Sequence, residues 1–108
     1  MNIDIRDPYV HLYSRIVGYG CFAAEEYAEA ADWFWKADQL APALPHNLAG
    51  LAASRSLNKD HKGARGAVAC LLDEEPEFRI RDMMTLPFRD ISVGERFIDG
   101  LHAAGAPD

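Results

Sequence analysis

The sequence predicts an all-α fold, an α–α superhelix of two helical hairpins followed by C-terminal capping helices. Three prolines, Pro8, Pro42 and Pro76, stand 34 residues apart, and Ala30 and Ala64 keep the same spacing. A period of 34 residues is typical of stacked helical hairpins, since one hairpin cannot bury its apolar face alone. The 108 residues suit a single small domain. We divide that domain into a first repeat, a second repeat and a capping segment: 9–42, 43–76 and 77–108.

The first repeat carries the clearer helical pattern. Asp7 and Pro8 supply a capping carboxylate and a first-turn proline, so the first helix is predicted over 8–23. Its partner is predicted over 26–40, where small and apolar residues recur on one face at 3.6 residues per turn: Ala30, Phe34, Ala37 and Leu40. The alanines let a neighbouring helix approach closely, and Phe34 fills the space between them.

The second repeat is a degenerate copy of the first. Pro45 is placed to begin its first helix, and Asp60 is placed to cap its second. Gly63 and Gly66 weaken that second helix. Its apolar face nevertheless repeats the pattern of the first unit at the same spacing: Ala64, Val68 and Leu71.

The period stops after Pro76. We expect a short helix over 78–84, ended by Thr85-Leu86-Pro87, and a longer one over 93–104. Ser92 and Glu95 form a capping box for the longer helix, and Gly105 ends it. Its apolar residues are expected on one face: Phe97, Ile98 and Leu101. We expect this helix to lie across the end of the stack, where a solenoid needs a cover.

Charge and composition narrow the classes of partner and the compartment. The formal charge is −6 and the isoelectric point is about 5.1, which disfavours a nucleic-acid partner. No apolar run approaches the length that spans a bilayer, and the first residues lack the layout of a secretory signal. Cys21 and Cys70 are the only cysteines and are expected as reduced core residues, which favours the cytoplasm. A disulfide between them is the alternative.

The sequence offers no pattern for a cofactor, a metal or a catalytic set. The four histidines are scattered without metal-ligand spacing: His11, His46, His61 and His102. Gly18-Tyr19-Gly20 lies within a predicted helix and lacks the preceding strand of a nucleotide-binding loop. We therefore predict no catalytic, cofactor-binding or metal-binding residues.

Residues 9–76 resemble two tetratricopeptide repeats, the first a closer match than the second. The tail resembles the C-terminus of bacterial multidomain proteins in which helical repeats follow a class III adenylate cyclase domain or a winged-helix regulator domain. The residues behind that second resemblance are Leu86-Pro87-Phe88-Arg89-Asp90 and the run from Arg96 to Asp108. The opening Asp4-Ile5-Arg6-Asp7-Pro8 is similar to a junction between repeats in those proteins. The resemblance implies a regulatory or protein-binding array and carries over no catalytic residue.

The tetratricopeptide resemblance also implies a contact surface, because the first helix of each repeat lines the concave face in that family. The positions are Leu12, Arg15, Tyr19 and Phe22 in the first repeat, and His46, Ala49, Ala53 and Ser56 in the second. Two aromatic rings flanking an arginine form a plausible anchor. The alternative is that both rings pack beneath a neighbouring helix. The family's lysine and asparagine clamp for peptide carboxylates is absent, since Arg15, Tyr19 and Gly50 stand in its places.

A second predicted surface concerns self-association. Trp35 lies too far around its helix from Ala30 to share the buried face, so it is either covered by another element or exposed at an interface. The N-terminal helix has no preceding repeat to cover Tyr9, Tyr13 and Ile16. Because repeat arrays usually need three or more units, these residues favour a homodimer.

The sequence thus predicts a non-catalytic protein–protein interaction module. The alternative is a C-terminal regulatory fragment of an adenylate-cyclase-type or transcriptional-regulator signalling protein, inert alone. A small enzyme with a pocket between the hairpins would be a third class, but no carboxylate pair or catalytic triad in the sequence supports it.

Overall fold

The computed structural model describes residues 10–42, 44–83 and 88–108, and the fold of this part of the chain is all-α. Five α-helices and one short 3-10 helix follow one another, without a strand among these residues. The α-helices are α1 (Val10–Ala23), α2 (Tyr27–Leu40), α3 (Pro45–Leu57), α4 (His61–Glu74) and α5 (Ile91–Ala103), and the 3-10 helix is Ile80–Met83. In the described part of the chain no helix combines the length and apolar character needed to cross a membrane.

The bounds of the four hairpin helices confirm the sequence prediction closely. The first helix ends at Ala23 and the third begins at Pro45, as expected. Asp60 caps α4, where its carboxylate accepts a hydrogen bond from the backbone N–H of Gly63 at 3.0 Å. The capping role of Asp7 and Pro8 lies outside the described residues.

The 34-residue period reappears in the turns of the two hairpins. Glu25 ends the first turn at φ 64°, and Lys59 does so in the second at φ 66°. The N–H of Glu26 donates to the Cys21 carbonyl in one turn, and that of Asp60 donates to the Arg55 carbonyl in the other. Every residue in this pattern has its counterpart 34 positions away. The second repeat is therefore degenerate in side chains but retains the backbone geometry of the first.

The Phe34 ring lies in a slot formed by two glycines. A Cβ on Gly18 of α1 would meet the ring at 3.1 Å, and one on Gly50 of α3 would meet it at 2.4 Å. Tyr19 packs edge-on against the same ring, with centroids 5.1 Å apart. Phe34 is fully buried with its neighbours Ala30 and Ala37, as predicted. Leu40 was expected on that face but is an exposed residue, because it stands at the last position of α2.

The last helix begins earlier than the capping box predicts. Asp90 is its N-cap, and the Asp90 carboxylate accepts hydrogen bonds from Ser92 N–H at 2.9 Å and Ser92 Oγ at 2.8 Å. Ser92 therefore lies inside the first turn rather than before it. Gly105 ends this region at φ 92°, as the predicted helix stop requires.

The helix before α5 is shorter than predicted. A helix was expected over 78–84, but the described part of it is the 3-10 turn Ile80–Met83, and 84–87 lie outside the described residues. The N–H of Ile80 donates to the Pro107 carbonyl at 2.8 Å, so the C-terminus is tied back to this turn. The 3-10 helix packs against α5.

The last helix does not lie across the end of the stack. It packs against α3, and its Phe97 ring contacts the α1 rings of Phe22 and Tyr19 at centroid distances of 5.2 and 5.9 Å. A Cβ on Gly100 would meet the Ala53 carbonyl oxygen at 3.0 Å, so α5 and α3 are in close contact there. An ion pair of 3.5 Å between Arg96 and Glu25 joins α5 to the first hairpin turn. The predicted cover is present, but it covers the face shared by α1 and α3.

The Phe34 slot predicts opposite effects for two glycine-to-alanine substitutions. Gly50→Ala should destabilise the protein by about 1–3 kcal/mol, because the added methyl group would overlap the Phe34 ring. The ring has little room to move away, since it also lies close to Gly18. Gly66→Ala is the matched control in α4, since nothing lies within 4 Å of its added Cβ. It should stabilise by about 0.5–1 kcal/mol through helix propensity. Urea unfolding measures both, and equal effects would contradict the slot.

Candidate protein-binding surface

Half of the residues on the predicted concave face are buried within the fold, so they cannot contact a partner. Phe22, Ala49 and Ala53 have no exposed surface, and Ser56 is nearly as buried. In α5, Phe97 packs against Phe22 and Gly100 lies against Ala53. The prediction that these four residues of the concave face contact a partner directly is wrong, because their side chains are buried within the fold. For Phe22 the alternative holds, since its ring packs against Phe97, Tyr27 and Phe88.

The other four predicted contact residues keep exposed surface. Leu12, Arg15 and Tyr19 are half-buried on α1, and His46 is exposed at the start of α3. Burial and, second, the Arg15 charge lower the pKa of His46, while burial raises the pKa of Tyr19 against an opposing effect of Arg15. The Arg15 guanidinium therefore lies close enough to act on both groups. Tyr19 also packs against the rings of Phe34, Phe88 and Phe97, so most of its ring belongs to the core. The use of Arg15, Tyr19 and His46 as a contact surface stays a prediction.

An apolar groove lies between the 3-10 helix and α5, and the sequence did not predict it. Its volume is about 690 Å³. Ile91 stands at its edge with 77% of its surface exposed, the highest exposure of the large hydrophobic side chains of the described residues. The apolar lining comprises Ile80, Met83, Phe88, Ile91 and Ile98. The spacing of Ile91 and Ile98, two turns apart, is the signal that could have revealed a second apolar stripe on α5.

A smaller hollow of about 390 Å³ adjoins this groove along α1. Phe88 and Asp90 line both, so the two form one tract around the Phe88 ring. That ring is held in place by Tyr19 and Phe97, at centroid distances of 5.4 and 5.8 Å. Ile16 borders the smaller hollow with 67% of its surface exposed. The tract thus combines a packed aromatic base with two projecting isoleucines.

The charged residues of the groove lie on its rim. Asp90, Glu95 and Asp99 are exposed and contribute three carboxylates, against one guanidinium from Arg81. Hydrogen bonds from the Ser92 side chain and then its backbone N–H lower the pKa of Asp90. Glu95 and Asp99 have no ion-pair partner among the described residues. The apolar groove is therefore bordered by net negative charge.

The predicted self-association residues do not form one described cluster. Half of the Trp35 surface is exposed, so the described residues do not cover this side chain. Its role at an interface stays a prediction. Tyr13 is half-buried and packs edge-on against Trp33, at a centroid distance of 6.3 Å. Ile16 borders the hollow described above, and Tyr9 lies outside the described residues.

The cysteines depart from the predicted core positions. Cys70 is exposed and Cys21 is half-buried, and both thiols are free. Cys21, Glu26 and Glu29 have potential ligand atoms within 4.8 Å of one another. Both carboxylates are exposed, and three donors fall short of the four-ligand set of a structural zinc site. Burial, followed by Glu26 and Glu29, raises the pKa of the Cys21 thiol, which disfavours the reactive thiolate.

Comparison with known proteins gives no relative: no protein-family model, no curated protein sequence and no solved structure matches this chain.

The Arg15 environment predicts a measurable titration of His46. Its imidazole pKa, followed by NMR, should lie below the ordinary value of about 6.5, and Arg15→Gln should raise it. Because its pKa is lower in the folded state, the His46 imidazole binds a proton more tightly in the unfolded chain. Its contribution to the free energy of unfolding is therefore complete above about pH 6.5 and is lost as the pH falls through the folded-state pKa.

Lys62→Gln, a charge removal at an exposed position of α4, is the control and should leave the His46 pKa unchanged. A His46 pKa above the ordinary value would contradict this account. It would instead indicate pairing with Glu75 or Glu77, which line a hollow beside His46.

Proposed function

We propose that this chain is a non-catalytic protein-interaction module that acts in the cytoplasm. The observation that carries the proposal is the open apolar groove between the 3-10 helix and α5, with Ile91 projecting at its edge. Exposed apolar surface rimmed by polar residues is typical of protein interaction sites. The net charge of −6 supports a protein partner over a nucleic acid.

The arrangement of polar groups favours binding over catalysis. A small-molecule or catalytic pocket usually holds a few polar groups that converge within it. Here the charged residues that line the groove are exposed and border an apolar interior. A regulatory segment of a cyclase-type or winged-helix signalling protein would use the same surface to contact its neighbouring domain.

Arg15, Tyr19 and His46 provide a second, polar contact area within this proposal. Arginine and tyrosine are enriched among residues that dominate binding energy. Tyr19 also lines the hollow beside the groove, so its ring joins the polar area to the apolar tract. A partner that covers the tract would therefore contact the Tyr19 ring.

The proposal predicts that one exposed isoleucine governs partner capture. The tagged chain should retain a specific protein from native cell extract. Ile91→Ser should reduce the amount retained at least about tenfold, because the apolar burial of Ile91 against the partner is lost. Leu40→Ser is the matched control, since Leu40 is another exposed apolar residue, at the end of α2, and should retain the protein.

Light scattering of the purified chain, run first, shows whether a second copy already occupies the surface. A dimer that Trp35→Ala converts to a monomer would place self-association on α2, where Trp35 is exposed. Equal capture by the wild type and Ile91→Ser would contradict the groove as the binding surface.

A further inference from the structure

We propose that the groove between the 3-10 helix and α5 accepts a basic amphipathic helix of a partner protein. This inference rests on the proposed function and specifies the chemistry of the partner. It depends on the shape of the groove, on the arrangement of its apolar residues and on the sign of the charge at its rim.

The shape of the groove suits side chains presented from a helix. Ile80 and Met83 are buried and form its floor, while the projecting Ile91 and the half-buried Ile98 form one wall. The two isoleucines lie seven residues apart on α5, which corresponds to two helical turns. A partner helix lying along α5 presents apolar residues every three or four positions, and this spacing matches such a wall.

The inner side of α5 is already committed to the core. Val93, Phe97 and Leu101 are buried against the rest of the fold. Ile91 and Ile98 lie on the adjoining flank of the same helix, about 100–120° around from Phe97. Ile98 packs partly against the core, and Ile91 is exposed among the described residues.

The rim charge decides what kind of helix fits. Asp90, Glu95 and Asp99 outnumber Arg81, and Glu95 and Asp99 have no ion-pair partner among the described residues. A helix with lysine or arginine beside its apolar stripe would place positive charge against these carboxylates. A second copy of this chain, at a net charge of −6, would on average bring acids against acids. The charge balance thus favours a basic partner over self-association at this groove.

The test is a titration of the full chain with two labelled synthetic helical peptides, followed by fluorescence anisotropy. Both peptides carry leucines at helical spacing, and their polar faces carry lysines in one and glutamates in the other. The lysine peptide should bind, and the glutamate peptide should bind at least about tenfold more weakly. Affinity for the lysine peptide should fall as salt rises.

Variants of the chain locate the contact. Glu95→Gln combined with Asp99→Asn should weaken binding of the lysine peptide about fivefold, since each exposed charge contributes modestly. Ile98→Ser should weaken it further. Asp73→Asn combined with Glu74→Gln removes the same charge from exposed positions at the end of α4 and should leave affinity unchanged. Circular dichroism of each variant confirms that it is folded.

Failure of this inference is distinguishable from failure of the proposed function. Three results would overturn the basic helix as the partner. They are equal affinity for the two peptides, no binding of either peptide, and a loss of affinity in the α4 control as large as that in the variant with Glu95→Gln and Asp99→Asn. The proposed function would survive those results if capture from extract still depended on Ile91. It would fail if capture were independent of Ile91.

Discussion

Phe34 lies between α1 and α3, and each of those helices presents a glycine to its ring. A Cβ at Gly18 would lie 3.1 Å from the ring, and the methyl group of an alanine at Gly50 would overlap it at 2.4 Å. The slot fixes how closely the first helices of the two hairpins approach α2. Helix α5 packs on the face that these two helices then share.

That face is occupied by the chain's own last helix. Phe97 packs among the α1 rings, and Gly100 lies against the Ala53 backbone. In an array with an open inner face, the same positions would be free for a ligand. Here α5 packs on that face, and the exposed apolar surface lies at Ile91 and in the groove beside it. The Glu25–Arg96 ion pair at the hairpin turn adds a polar tie to this packing.

Local features of this fold were predictable, and the placement of α5 was not. The 34-residue period predicted four helices to within a few residues, since caps, prolines and small residues mark each boundary. Phe22, Ala49 and Ala53 could be recognised as one face of the first helices. Sequence pattern cannot tell whether such a face is covered by a partner or by a later helix of the same chain. The period had ended before α5, so no spacing remained to place it.

Two further errors have local causes. Ser92 and Glu95 match a capping box. However, the Asp90 carboxylate accepts a hydrogen bond from the Ser92 N–H, so Asp90 is the N-cap and the helix begins two residues earlier. Ile98 was grouped with Phe97 because they are adjacent in sequence and apolar. On a helix, adjacent residues are about 100° apart. Phe97 is therefore fully buried, while Ile98 packs only partly against the core and also lines the groove. The candidate site depends on that difference.

Methyl NMR of the full chain tests the division of α5 into a packing side and a binding side most directly. Isoleucine and leucine methyl spectra would be recorded while the lysine-faced helical peptide is added. The account predicts shifts at Ile80, Ile91 and Ile98, with the exposed Leu40 and Leu44 unchanged and Leu101 still in its core environment. Shifts confined to Leu12 and Leu44, or displacement of Leu101 from the core, would contradict it.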